Sequence, residues 1–89
     1  MINARITIIN KLGLHARAAA KLVSTTSKFG CQIRLGCNGK LVDAKSIMAV
    51  MMLAAGKGTE LELHFDGADE HQAHDALVAL INNRFDEPE

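Results

Sequence analysis

Residues 31–43 read Cys31-Gln32-Ile33-Arg34-Leu35-Gly36-Cys37-Asn38-Gly39-Lys40-Leu41-Val42-Asp43. Cys31, Ile33, Leu35 and Cys37 alternate with Gln32 and Arg34, the pattern of a strand with one buried face. Asn38-Gly39 is the dipeptide preferred in a two-residue type I′ hairpin, where both positions need positive φ. Lys40 to Asp43 is then a short strand antiparallel to the one before it. Residues 60–66 alternate more cleanly still: Glu60, Glu62, His64 and Asp66 against Leu61, Leu63 and Phe65. Near the start, residues 4–9 set Ala4, Ile6 and Ile8 on one side, Arg5 and Thr7 on the other. Four strands, each apolar on one side only, predict a mainly antiparallel sheet covered on one face.

The segments between the strands read as helices. Ala16 to Lys28 is Ala-rich, with a stripe of Ala16, Ala19, Ala20, Leu22 and Val23, and Gly30 supplies the stop. Ser46 precedes the apolar run Ile47 to Leu53. A serine there is a good N-cap, contributing about 1 kcal/mol. The Met and Ala content favours a short helix over a buried strand. Asp69 and Gln72 resemble a capping box at the head of a last helix, whose stripe is Ala73, Ala76, Leu77, Leu80 and Ile81. The order is β-α-β-β-α-β-α. A ferredoxin-like βαββαβ domain is the alternative, but its second helix is normally longer than the stretch after Ser46. Residues 86–89 read as a solvated acidic tail.

The chain has 89 residues, which suits one domain spanning 1–89. Ten Lys and Arg balance ten Asp and Glu, so the basic excess of a nucleic-acid binder is missing. With no Tyr or Trp and only three Phe, base-stacking platforms are also excluded. No segment reaches the ~18 apolar residues of a membrane span. The first residues lack the order of a signal peptide. Cys31 and Cys37, on one strand, lie about 20 Å apart, too far for a disulfide. Neither has metal-ligand spacing to another Cys or His, so both read as small buried hydrophobes. The cytoplasm is the expected compartment.

The stretch that carries chemistry is Asn10-Lys11-Leu12-Gly13-Leu14-His15-Ala16-Arg17. A histidine stands where a Gly-containing loop becomes a helix. Helix N-termini present unpaired N–H groups and a partial positive charge, which suit a phosphate. A neutral imidazole at such a place is a competent nucleophile. Arg17 opposes the dipole at a cost of about 0.3–1 kcal/mol, which a role in pairing phosphoryl oxygens explains. A solvated His and Arg at an ordinary helix start is the alternative.

Residues 10–17, the Asn38-Gly39 hairpin, Ala44-Lys45-Ser46-Ile47-Met48 and the final helix resemble the histidine-containing phosphocarrier (HPr) family. The resemblance covers nearly the whole chain. The Asn-Lys-Leu-Gly-Leu-His-Ala-Arg form and the Asn82-Asn83-Arg84-Phe85-Asp86-Glu87 ending look closer to the nitrogen-branch relative (NPr) than to sugar-branch proteins. The resemblance implies an open-faced β-sandwich, four antiparallel strands with three helices on one side. It implies a phosphoryl carrier rather than an enzyme, with no cofactor and no metal. His15 would accept the group on Nδ1 from enzyme I, charged by phosphoenolpyruvate, and pass it to a histidine of an enzyme IIA domain. Arg17 would stabilise the phosphoryl oxygens. Ser46 matches a regulatory serine, phosphorylated in some bacteria by an ATP-dependent HPr kinase/phosphorylase. Ala16, Ala20, Ile47, Met48 and Met51 would form the apolar docking surface of a monomeric carrier that meets no nucleic acid and no membrane.

The chain departs from the family pattern at one point. The motif usually continues His-x-Arg-Pro, and residue 18 is Ala. Proline in a first turn fixes φ and removes an N–H without a helical partner. Ala18 restores that N–H. It either faces water or the phosphoryl group, leaving transfer intact, or it loosens the helix entry and slows transfer. Retained transfer is the expectation. A binding regulator that uses the same surface without transfer is the alternative. Among the remaining candidates, Met48, Met51 and Met52 read as core when taken without the family. His71 and His74 read as a solvated helix face rather than a metal pair, and His64 as surface polarity on a strand.

Overall fold

A computed structural model describes residues 1–89. Its elements are β1 (Ile2–Thr7), α1 (Ala16–Thr26), β2 (Gln32–Cys37), β3 (Lys40–Asp43), α2 (Ile47–Met52), β4 (Glu60–Asp66) and α3 (Glu70–Asn82). A single left-handed turn at Arg84–Asp86 follows. The four strands form one antiparallel sheet in the order β1-β4-β2-β3. β4 lies between β1 and β2, with Leu63 facing both Ala4 and Leu35. This order, with β1 at the edge, excludes the ferredoxin-like alternative, and the sheet with three helices is the open-faced β-sandwich that the resemblance implies.

The period-2 pattern decides which face is covered. Ile33, Leu35, Leu61, Leu63 and Phe65 point into the core, where they meet Ala18, Ala19 and Leu22 of α1, Val50 of α2, and Ala73, Leu77 and Ile81 of α3. Their polar alternates stay on the open face, where Arg5 pairs with Glu60 at 3.0 Å and Glu62 at 3.6 Å. Asn38 and Gly39 both have positive φ, 54° and 81°, as a type I′ turn requires.

Several boundaries and faces differ from the sequence reading. β1 begins at Ile2, and Ile8 lies beyond it, buried, its amide bonded to the Thr59 carbonyl. α1 ends at Thr26, not Lys28, because its last turn tightens: the Lys28 and Phe29 amides bond the Thr25 and Thr26 carbonyls. The buried face of α1 is Ala18, Ala19, Leu22 and Thr26, while Ala16 and Ala20 are exposed. The capping box at α3 does not form. Asp69 makes no side-chain cap; its carboxylate instead accepts the Gly30 and Cys31 amides at 2.8 and 2.9 Å. Glu70 reaches back to the Gly67 amide at 3.1 Å.

Candidate functional site

The loop of residues 8–14 and the start of α1 are built around Gly13. Its φ is +65°, and a Cβ there would stand 2.5 Å from the Ala55 carbonyl oxygen, so only glycine fits. The Leu14 amide donates to that same carbonyl at 2.8 Å, which ties the entry of α1 to the exit of α2. Asn10, fully buried, closes the loop by donating from Nδ2 to the Gly13 carbonyl at 2.9 Å.

His15 is the N-cap of α1, in extended conformation, and its ring makes no capping bond. The ring is therefore free of the helix, while the first-turn N–H groups of Ala16 and Arg17 remain without helical acceptors. Both of those residues are exposed. The side chain of His15 is 29% exposed. Ala18 behaves differently from its expected role. It is completely buried, and none of the backbone carbonyls accepts its N–H, so that group does not face water.

The end of the chain is a solvated tail only in part: Asp86, Pro88 and Glu89 are exposed, but Glu87 is not. Phe85 is fully buried, and the turn around it carries three successive positive φ values: 57° at Arg84, 53° at Phe85 and 62° at Asp86. This turn redirects residues 87–89 onto the 10–15 loop. The Lys11 amide donates to the Glu89 carbonyl at 2.9 Å. Lys21 of α1 holds Asp86 at 3.3 Å. Glu87 accepts Asn10 Nδ2 on one carboxylate oxygen at 3.0 Å and contacts His15 Nε2 with the other. Burial pushes the Glu87 carboxyl up, but the hydrogen bonds from Asn10 and His15 and the charge of Arg17 outweigh it, leaving Glu87 below the usual carboxylate range. Lys11, Leu12, His15, Arg17, Glu87, Pro88 and Glu89 line a cleft of about 310 Å³. A larger hollow of about 520 Å³ lies by the β2–β3 turn, but there Arg5 is already paired with Glu60 and no histidine lines it.

His15 and Arg17 thus come together with Glu87, which the sequence reading left in solvent. Nothing in the local sequence pointed to Glu87, since it lies 72 positions from His15. Ser46 caps α2, its hydroxyl accepting the Ala49 amide at 3.3 Å. The methionines correct the expectation of a core role: Met48 and Met52 are each 69% exposed, and Met51 and Ile47 are also exposed. Only Val50 of α2 is buried. His74 is not a purely solvated residue either. Its ring packs edge-on against Phe65, with centroids 5.6 Å apart.

The family model described as the PTS HPr component phosphorylation site matches residues 2–83. The chain belongs to the HPr family. A phosphocarrier protein HPr of Pseudomonas aeruginosa is 67% identical over 85 residues, 94% of each chain. One from Cupriavidus necator is 58% identical over the full length of both. The crystal structure of HPr-C-His from Thermoanaerobacter tengcongensis superposes with a TM-score of 0.96, at 46% identity and complete coverage of both chains. The resemblance drawn from residues 10–17 and 44–48 is therefore correct, and the chain is an HPr-family phosphocarrier of the phosphotransferase system. No helix in it is long and apolar enough to cross a membrane.

Proposed function

We propose that the chain accepts a phosphoryl group on His15 from enzyme I, charged by phosphoenolpyruvate, and passes it to a histidine on an enzyme IIA domain. The observation that carries this reading is the placement of His15 at the N-cap of α1 without a capping bond, beside Arg17. The attacking ring stands at the positive end of the helix. The exposed Ala16 and Arg17 amides and the Arg17 guanidinium are the donors for the phosphoryl oxygens, acting by charge and position. In this reading the chain acts as a covalent substrate of two other proteins rather than as an enzyme, in the cytoplasm and as a monomer.

Both partners would meet the apolar surface of Ala16, Ala20, Ile47, Met48 and Met51. All five are exposed, and methionines make an adaptable contact. Such a transient interface buries about 1,200 Å² or less. Ser46 is the regulatory position of this reading. A phosphate on its oxygen would gain from the first-turn amides of α2 and add roughly 1.5–2 negative charges beside Ile47 and Met48.

Intact-mass spectrometry after incubation with phosphoenolpyruvate and enzyme I tests the central claim. One acid-labile phosphoryl mass is expected on the wild type and none on His15→Ala. Phosphoryl gain by the variant, or none by the wild type while enzyme I itself is phosphorylated, refutes it.

A further inference from the structure

We propose that Glu87 is a positioning residue for this transfer: held by Asn10, its carboxylate accepts the Nε2–H of His15 and so leaves the Nδ1 lone pair directed at phosphorus. The proposal rests on His15 being the acceptor. Its basis is a chain of contacts, each with a distinct physical role. Asn10 is fully buried and fixed by its bond to the Gly13 carbonyl, so its second Nδ2 proton has one direction to point, and Glu87 Oε1 lies 3.0 Å along it. The other carboxylate oxygen of Glu87 then faces His15 Nε2. The Glu87 side chain is only 11% exposed, so water competes weakly for it.

An ionised carboxylate can only accept. Its hydrogen bond therefore selects the tautomer with the proton on Nε2, as a carboxylate behind a histidine does in hydrolase triads and at metal sites. The segment carrying Glu87 is anchored on both sides: Phe85 is buried in the core, and the Glu89 carbonyl accepts the Lys11 amide. The charge of Arg17 also favours the carboxylate form of Glu87.

The electron balance follows from this geometry. The Nδ1 lone pair forms the N–P bond. The bond from phosphorus to the donor atom breaks, and that atom leaves with the electron pair. The Nε2 proton stays where it is, so the ring becomes a phosphorylated imidazolium. Glu87 offsets that positive charge. Transfer to the next protein reverses the same steps.

The test uses the full chain and its Glu87→Ala and Glu87→Gln variants. Ring ¹⁵N NMR of His15, without any phosphoryl donor and at a pH where the ring is neutral, reports which nitrogen carries the proton. The wild type is expected to hold the Nε2–H form, Glu87→Gln to retain it through its amide oxygen, and Glu87→Ala to show both tautomers. The rate of phosphorylation by enzyme I is expected to fall on the order of tenfold in Glu87→Ala, with part of the loss restored in Glu87→Gln. An unchanged tautomer ratio in Glu87→Ala, or an unchanged rate, overturns the proposal. If the wild type gains no phosphoryl group, or His15→Ala gains one, the acceptor reading fails instead, and the donor-free ring spectra still decide whether Glu87 sets the tautomer.

Discussion

At position 18 a methyl group stands where the family pattern carries a proline ring, and its surroundings decide what that exchange does. Ala18 is completely buried, its Cβ within the core cluster. Its N–H sits in the first turn of α1, where no helical carbonyl can reach it, and no other backbone carbonyl does so. A buried donor without a partner is a standing cost. Ala18→Pro removes that donor and restricts the unfolded chain, a gain of about 0.4–1 kcal/mol. The expected outcome is a thermal midpoint higher by roughly 2–8 °C in scanning calorimetry. A lower midpoint would show that the ring collides with the helix entry. His15 and Arg17 were legible as a pair because a helix start is a local property. The exposure of Met48 and Met52 was not, since a six-residue helix carries too few turns for periodicity to assign a face.

Elements join through contacts that local patterns disguise. Asp69 stands where a capping residue belongs, yet its carboxylate spans to the amides of Gly30 and Cys31 and fastens the head of α3 to the start of β2. The Gly30 amide is the main cause that holds Asp69 below the ordinary carboxylate range. Glu70 is lowered by the Gly67 amide and the N-terminal ammonium, and Asp86 by Asn83 and Lys21. Each folded pKa lies below its unfolded value. Their contribution to stability is therefore complete above the unfolded carboxylate range and lost as pH falls through the folded values. Asp69→Ala should lower the urea midpoint clearly at pH 7, and by progressively less as pH falls through the depressed native value and the carboxyl protonates. An equal loss at pH 7 and at a pH low enough to protonate the native carboxyl would mean that the side chain acts through packing alone. Burial, together with the nearby Asp69 carboxylate, pushes the Cys31 thiol up, so this cysteine is an inert packing group, as the sequence suggested.

On the scale of the whole molecule, the last residues close the cleft beside His15. Residues 84–86 all take left-handed backbone conformations, which disfavour residues with a side chain by about 1–2 kcal/mol each. The burial of Phe85 among the core residues offsets this and points Glu87 at His15. Phe85→Ala should cost about 3–5 kcal/mol of stability in urea unfolding. It should also speed hydrogen exchange at the Lys11 amide, whose acceptor is the Glu89 carbonyl. Unchanged exchange at Lys11 would show that the tail docks without Phe85. The sequence alone determined the four strands, the Asn38-Gly39 turn, the cap at Ser46, and the placing of His15 and Arg17 at a helix start. All of these follow from periodicity and short-range backbone chemistry, in which partners lie within a few residues. Tertiary structure alone decided the strand order, the outward face of α2, the use of Asp69 and the docking of Glu87. Each depends on groups distant in the chain whose meeting leaves no local pattern: Asp69 lies 39 residues from Gly30, and Glu87 77 from Asn10.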